Sequence, residues 1–416
     1  MVDKEVVTGR QKFRSLQRIM MLLNPKSNVK NFSAGVPMAA LENIKDLPAA
    51  MFDVLVSKKT GERTTSFNIP GKIAAQAKGF AQAVGDIRYD IREGVDTSNR
   101  GMPGRYSLEE GGAARSTNAT SRIWDGKVMN ALDSLVGTAL RVGDRAHFDA
   151  AYHGRLAELE MFGKDPNTAD SQKEAIRFAL DRTFQNNSGL AQALNGVRNS
   201  LNKARLGSVG LGDLLMPFVQ TPANIADKLI DYSGVGGTAK AIAQLVGAKK
   251  TGEFDQKLFV DRLGRSFTGF GIMAFGMALA KSGALIAGAD SQEEREMLDN
   301  AGVEEYAIKI GNTWHTLDWA EPAGSLLLMG AEMQKAGMSK EGFIQSAYAA
   351  GITGMDALFD LDVLQNVSAI FGGYGSVTEN VGDALINSAT QFVPSILNTI
   401  TKTIDPVVRD TYDENP

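Results

Sequence analysis

Apolar positions recur in steps of three and four along most of this chain. Between Pro70 and Glu93, Ile73, Ala77, Phe80, Val84, Ile87 and Ile91 form the seam of an amphipathic helix. Leu41, Ile44, Leu47, Met51, Val54 and Leu55 mark one face of an earlier helix, which Pro48 is expected to kink or divide. Leu190, Leu194, Val197 and Leu201 repeat the pattern. Gly, Asn and Asp-Pro signals bound two more helices, over about Ile123 to Met161 and about Ser171 to Gln185. The one clear switch to period two is VEEYAIKIGNTWHTLDW, where Tyr306, Ile308 and Ile310 alternate with polar partners. Gly311-Asn312 supplies a two-residue turn and Trp314 to Trp319 the return. A hairpin alone is marginal in water, so its apolar face is expected on the helical body. The fold class read from these periods is mainly α, a multi-helix assembly with one small β-hairpin.

Breaks in the pattern divide the chain. Residues 1–93 read as an N-terminal helical region. Residues 94–121, rich in Gly, Ser, Thr and Asn, read as a long exposed loop of the kind that is functional or mobile. Residues 122–206 form a second helical domain, with a soft boundary near Leu206. Beyond it glycine becomes frequent and charge thins, so 207–416 reads as a Gly/Ala-rich apolar helical domain carrying the hairpin near 304–319.

Within that last region, FTGFGIMAFGMALAKSGALIAGA, from Phe267 to Ala289, is apolar enough to suggest a membrane yet contains Lys281. On one continuous helix, Gly276, Ala280, Ala284 and Gly288 would form a smooth stripe that a second helix approaches closely. The unbroken run before Lys281 is only about 14 residues, shorter than the roughly 20 that a span needs. The segment therefore reads first as a packing helix and second as one that inserts conditionally, with Phe275 in its apolar face. Lys281 is expected to reach water or a carboxylate in the globular form. Lysines and arginines precede the segment and acids follow it, and the acids suggest a separate helix starting near Ser291.

With 43% hydrophobic and 22% charged residues and a net charge of −4, the 416-residue chain is globular in composition, without the basic excess that announces nucleic acid. It has no cysteine, which excludes disulfides, thiolate metal sites and cysteine nucleophiles. No secretory leader is expected from its opening residues. His147 and His153, each near an aspartate, lack metal-site spacing, and His315 reads as a cross-strand polar residue. Asp318 and Glu321 are the most suggestive acid–base pair, but no nucleophile or cationic clamp accompanies them, and Glu321 fits a helix N-terminus. The glycine clusters near Gly236 and Gly373 lack phosphate-loop spacing. A basic N-terminal set, from Arg10 to Lys30, could touch phosphates or anionic lipid but reads more simply as a solvated helix face. No catalytic, cofactor or metal site is expected.

Four stretches, LNPKSNVKNFSAG, LLMPFVQTPANIADKLI, IKIGNTWHTLDWAEPAG and QFVPSIL, give the chain a resemblance to the helical C-terminal regions of large phage-encoded polyvalent proteins. These include internal virion proteins ejected with the genome. The resemblance runs from about Leu22 to Asp410 and offers no catalytic residues to carry over. It implies a non-enzymatic virion module that moves from the virion interior to the host cell envelope or cytoplasm. Such a module assists DNA delivery by self-association, or by association with other ejection proteins, and by membrane contact; direct nucleic-acid contact stays open. The alternatives are an enzyme acting on cell wall or nucleic acid, with Asp318 or Glu321 as its acid–base residue, and a pore-forming toxin-like protein.

Overall fold

The structure, a computed structural model, describes residues 25–93, 97, 127–206, 209–216 and 219–335. The loop expected over 94–121, apart from Thr97, and the helices expected beyond Lys335 lie outside the described residues. The fold is helical, with a small antiparallel hairpin. Its elements are α1 (Pro25–Thr60), α2 (Ile69–Glu93), α3 (Lys127–Met161), α4 (Ala169–Arg182), α5 (Gly189–Leu201), a two-residue ladder β1 (Arg205–Leu206) and β2 (Val209–Gly210), and α6 (Leu211–Leu215). They continue as α7 (Gln220–Tyr232), α8 (Val235–Thr251), α9 (Gln256–Lys281), α10 (Gln292–Asn300), β3 (Ala307–Ile310), β4 (Thr313–Thr316) and α11 (Gly324–Lys335).

Local chemistry explains where the helices begin. Thr168, Ser188, Asp255 and Ser291 each accept a backbone N–H from the first turn of α4, α5, α9 and α10 respectively. Such caps satisfy donors that helices otherwise leave orphaned. The acidic helix expected near Ser291 is α10, with Glu293 and Glu294 in its first turn. The hairpin forms, pairing Ala307 with Thr316 and Ile310 with Thr313 around Gly311, whose φ of 63° a side chain would resist, but its return is shorter than expected, since Leu317–Trp319 is a 3-10 turn and not strand. Ile308 packs onto Leu285, Leu317 and Leu328, so the hairpin does rest on the helical body.

Three expectations need correction. Pro48 does not divide α1, which runs unbroken through both Pro37 and Pro48. The segment 267–289 is not one helix: α9 ends at Lys281, and Gly283, at φ 71°, turns the chain away. Residues 284–286 are then extended beside β3, with Lys309 N donating to Ala284 O at 2.8 Å and Ile286 N to Ala307 O at 2.9 Å. The third correction concerns which faces are buried. In α1, of the six residues expected to face inward, only Leu41 does; Ile44, Leu47, Met51 and Leu55 are 51–61% exposed. The buried face carries Glu42, Lys45, Asp46, Ala49, Ala50 and Asp53. In α2 the expected seam is split: Ile73, Ala77 and Ile91 are exposed, Phe80 and Val84 half-buried, and only Ile87 is buried, beside Lys72, Gln76, Gly79, Ala83 and Asp90.

The largest apolar core is assembled from α1, α6, α7, α9 and α11, around Met38, Leu41, Leu229, Met273, Leu326 and Met329. Leu190, Leu194, Val197 and Leu201 of α5 pack against it as their spacing predicts. A smaller core joins Phe148 and Tyr152 of α3 to Ile176 and Leu180 of α4. Glycines allow the closest helix crossings. A Cβ at Gly269 would strike the Tyr232 carbonyl, and one at Gly79 the Asp149 carbonyl.

Candidate functional site

Between the apolar cores lies a continuous charged interior, assembled where α1, α2, α3, α4, α7 and α9 meet. Glu42 receives Arg265 through two nitrogens at 2.9 and 3.2 Å, and Tyr232 OH at 2.9 Å. Arg265 also donates to Asp181 at 2.6 Å and Asp231 at 3.3 Å. Lys45 pairs with Asp261 and, at 3.0 Å, with Asp46, which takes Lys72 at 2.5 Å. Lys72 continues to Glu158 at 3.5 Å, and Glu158 in turn binds Arg155. Lys228 donates to Asp181 at 2.5 Å. Glu42, Lys45, Asp46, Arg155, Glu158 and Arg265 are each no more than 1% exposed. The Phe178 ring stands among the cations, with Lys72 and Arg182 each 5.0 Å and Lys257 5.4 Å from its centroid.

Opposite charges meet here in near balance, and that keeps the groups ionised. Burial alone would raise Glu42, but Arg265, Lys228, Lys45 and Arg182 outweigh it and hold the carboxyl well below its ordinary range. Burial likewise opposes ionisation of Glu158, yet Lys257, Lys72 and Arg155 bring it down to about 2. Asp46 and Asp261 move in the same direction for the same reason. At Lys257 the charged form is instead disfavoured: burial, reinforced by Lys45 and Lys72, outweighs Asp261 and Glu158 and lowers it to about 8. A separate carboxylate, Asp53, accepts from Arg63 Nε at 2.7 Å, Thr64 N at 2.9 Å, Thr65 N at 3.1 Å and Gln256 Nε2 at 2.8 Å, pinning the α1–α2 connection onto α9. At the far end of α2, Arg145 gathers Asp90 at 2.6 Å, Asp86 at 3.2 Å and Asp149 at 3.5 Å. Several of these bonds, Glu42–Arg265 and Asp181–Lys228 among them, join segments on the two sides of Leu206.

Such pairs do not by themselves stabilise the fold much. Desolvating the charges roughly cancels their attraction, while removing one partner is costly. What they supply is geometry, because a helix carrying Glu42, Lys45, Asp46 and Asp53 on one face has a single register against α9. With the charges turned inward, the outside is left apolar. Beyond the α1 stripe, Ile242 and Val246 of α8, and Phe267 and Phe275 of α9, are all more than half exposed.

The residues selected from the sequence are dispersed. Gly276 is buried, and a Cβ there would run into the Leu327 carbonyl of α11. Ala280 is half-buried against Leu285, Leu317 and Leu328. Ala284 and Gly288 do not continue their stripe, because they lie past the end of α9. Gly288 is nonetheless closely packed, against Tyr306, and its N–H donates to Glu332 at 3.1 Å. Phe275 is 58% exposed, and Lys281 is exposed as expected. Asp318 accepts from Thr316 Oγ1 at 2.6 Å, next to the hairpin and away from the charged interior. His147 packs edge-on to Phe80 and His153 edge-on to Tyr152. Among the described residues no group of three or more histidines and carboxylates is placed to hold a metal ion.

The charged interior was missed because each helix was read for its apolar face. In α1 the residues concerned, Glu42, Lys45, Asp46 and Asp53, do share one face with Ala49 and Ala50. No family model, curated protein or solved structure matches this chain.

Proposed function

We propose that this chain is a non-enzymatic assembly protein, which works by presenting an apolar outer surface to further copies, to companion proteins or to a membrane. The observation that carries the reading is the inverted polarity of α1, which α2 shares in part. Apolar side chains face outward, while charges pair inside and helices meet through glycine and alanine. This is how helices pack in lipid or in large assemblies, where polar side chains act as glue and small residues admit close approach. In water a surface of this kind is a docking surface. α9 is long and apolar enough to cross a membrane by length and composition, but in this state its first half holds Asp261 and Arg265 in the charged interior.

Taken with the resemblance to phage internal virion proteins, the reading extends to a place and a time. The chain is packaged in the virion, leaves with the genome and assists DNA delivery through the host envelope. Mass spectrometry of purified particles, with and without protease treatment of their exterior, tests the location; absence of the chain from the particles rejects it. Sedimentation of the purified full chain tests assembly. A monomer at every concentration that also ignores vesicles removes the assembly reading.

A further inference from the structure

The outward stripes of three helices belong to one face. Glu42–Arg265, Lys45–Asp261 and Asp53–Gln256 set α1 antiparallel to α9. Thr238–Ser266 at 2.8 Å and Gln244–Asp255 at 2.7 Å set α8 antiparallel to α9 as well. Hence α1 and α8 run parallel on either side of α9. Phe52 of α1 meets Phe267 of α9 edge-on, with ring centroids 6.5 Å apart, and Phe52 and Val56 join Ala241, Phe259 and Val260 in one cluster. The exposed apolar positions of α1 and α8 therefore flank the exposed Phe267.

Charge at the border of this face is one-sided. Each stripe ends in a lysine pair, Lys58-Lys59 on α1 and Lys249-Lys250 on α8. Because the helices are parallel, both pairs lie at the same end. All four lysines are exposed, and none is ion-paired among the described residues. The exposed acids at that end are Glu62, Glu253 and the helix-capping Asp255, and none lies within the stripes. Lysines in a last helical turn suit the helix dipole, which accounts for their sign. It does not account for two such pairs closing the apolar stripes at one edge.

We propose that this face docks on an anionic lipid surface, with Ile44, Met51, Leu55, Ile242 and Phe267 entering the headgroup–acyl boundary and the four lysines on the lipid phosphates. Amphipathic helices bind in this way, through apolar burial combined with attraction to anionic headgroups, and lysine stems reach upward from the apolar level. The inference rests on the assembly reading above and names one partner for it. A second copy of the chain would bring the same apolar stripes and no carboxylate within them to meet these lysines.

The test is flotation of the full chain with vesicles of phosphatidylcholine alone and of phosphatidylcholine mixed with phosphatidylglycerol, at low and high salt. It is run beside Ile44→Gln/Met51→Gln/Ile242→Gln and Lys58→Gln/Lys59→Gln/Lys249→Gln/Lys250→Gln. All seven positions are exposed, so circular dichroism and melting should show both variants folded like the parent. The wild type should float with the anionic vesicles only, and salt should release it. Removing the lysines should cost at least about a hundredfold in partitioning, since each contributes about 1 kcal/mol near an anionic surface. The apolar variant should stay unbound. Equal flotation on phosphatidylcholine alone, or undiminished flotation of either variant, overturns the proposal. No flotation together with self-association that the apolar variant abolishes also overturns it, assigns the face to a second copy and leaves the assembly reading standing. If neither flotation nor self-association occurs, both fall.

Discussion

Arg265→Met tests whether the charged interior holds the helices together as the geometry implies. The guanidinium is 1% exposed and serves Glu42, Asp181 and Asp231 at once. Asp181 keeps Lys228 at 2.5 Å and Asp231 keeps Lys240 at 2.9 Å, so the acid most exposed to the loss is Glu42. It retains Tyr232 and the more distant Arg182, at 3.5 Å, Lys45, at 3.8 Å, and Lys228, at 3.9 Å. Breaking a buried pair by removing one partner costs about 3–5 kcal/mol. That is a large part of the roughly 5–15 kcal/mol by which a domain is stable. Glu42→Gln alone removes charge but keeps an acceptor, and should cost about 2–3 kcal/mol. In the double variant neither charge is stranded, and the total should stay near that of Arg265→Met alone, giving a coupling of about 2 kcal/mol or more. Urea unfolding followed by far-UV circular dichroism measures all four corners of this cycle. Additivity within about 0.5 kcal/mol would refute the reasoning, because it would mean the two groups do not share a desolvated site.

Further expectations follow from the same interior and its surroundings. Glu42, Asp46, Glu158, Asp181 and Asp261 are lowered in the folded state, so their stabilisation is complete above the unfolded carboxylate range of about 4; it should fade as pH falls toward the Glu158 value of about 2 and below. A chain whose urea midpoint is flat from neutral pH down to the acid limit would contradict this. Gly276→Ala should lose about 1–3 kcal/mol, since its Cβ meets backbone at Leu327, whereas Gly271→Ala, with open space around it, should gain about 0.5–1 kcal/mol. Equal melting shifts for the two would show that α9 and α11 are not in contact at Gly276. Leu47→Gln, on the outward face of α1, should leave stability within about 0.5 kcal/mol while raising solubility; a large drop in the melting midpoint would place Leu47 inside.

How much of this was legible in the sequence differs by element. The hairpin was, because Gly311-Asn312 and period-two alternation are local signals that later packing did not override. The helices were, since period, caps and breakers act within a few residues. The orientation of α1, and of part of α2, was not, because a periodic pattern fixes two faces without saying which is inner. In a water-filled setting the apolar face wins, but here Lys45 finds Asp261 and Glu42 finds Arg265, partners that no local window contains. The stripe expected from Gly276 to Gly288 failed for a local reason instead. Ser282 and Gly283 end the helix, and the apolar composition beyond them masked that stop. Gly276 still performs the role assigned to it, close approach to a neighbouring helix, because that role depends only on the helix continuing to Lys281.

The pairing of α1 with α9 also sets a timetable for the chain's birth. Glu42 and Arg265 are separated by 223 residues, and Lys45 and Asp261 by 216. At about 5–20 residues per second, a ribosome takes roughly 10–45 s to bring the second partner after the first. During that interval Asp46 can already meet Lys72 and Asp53 can meet Arg63, but Glu42 and Lys45 lack their α9 partners, and the apolar side of α1 is as open as it will be in the finished protein. The salt-bridged interior can therefore close over α1 only once the stretch carrying Asp261 and Arg265 has been made. A nascent chain interrupted before that stretch would carry the apolar side without these α9 partners, so the fidelity of the fold depends on completing a stretch far from where it began.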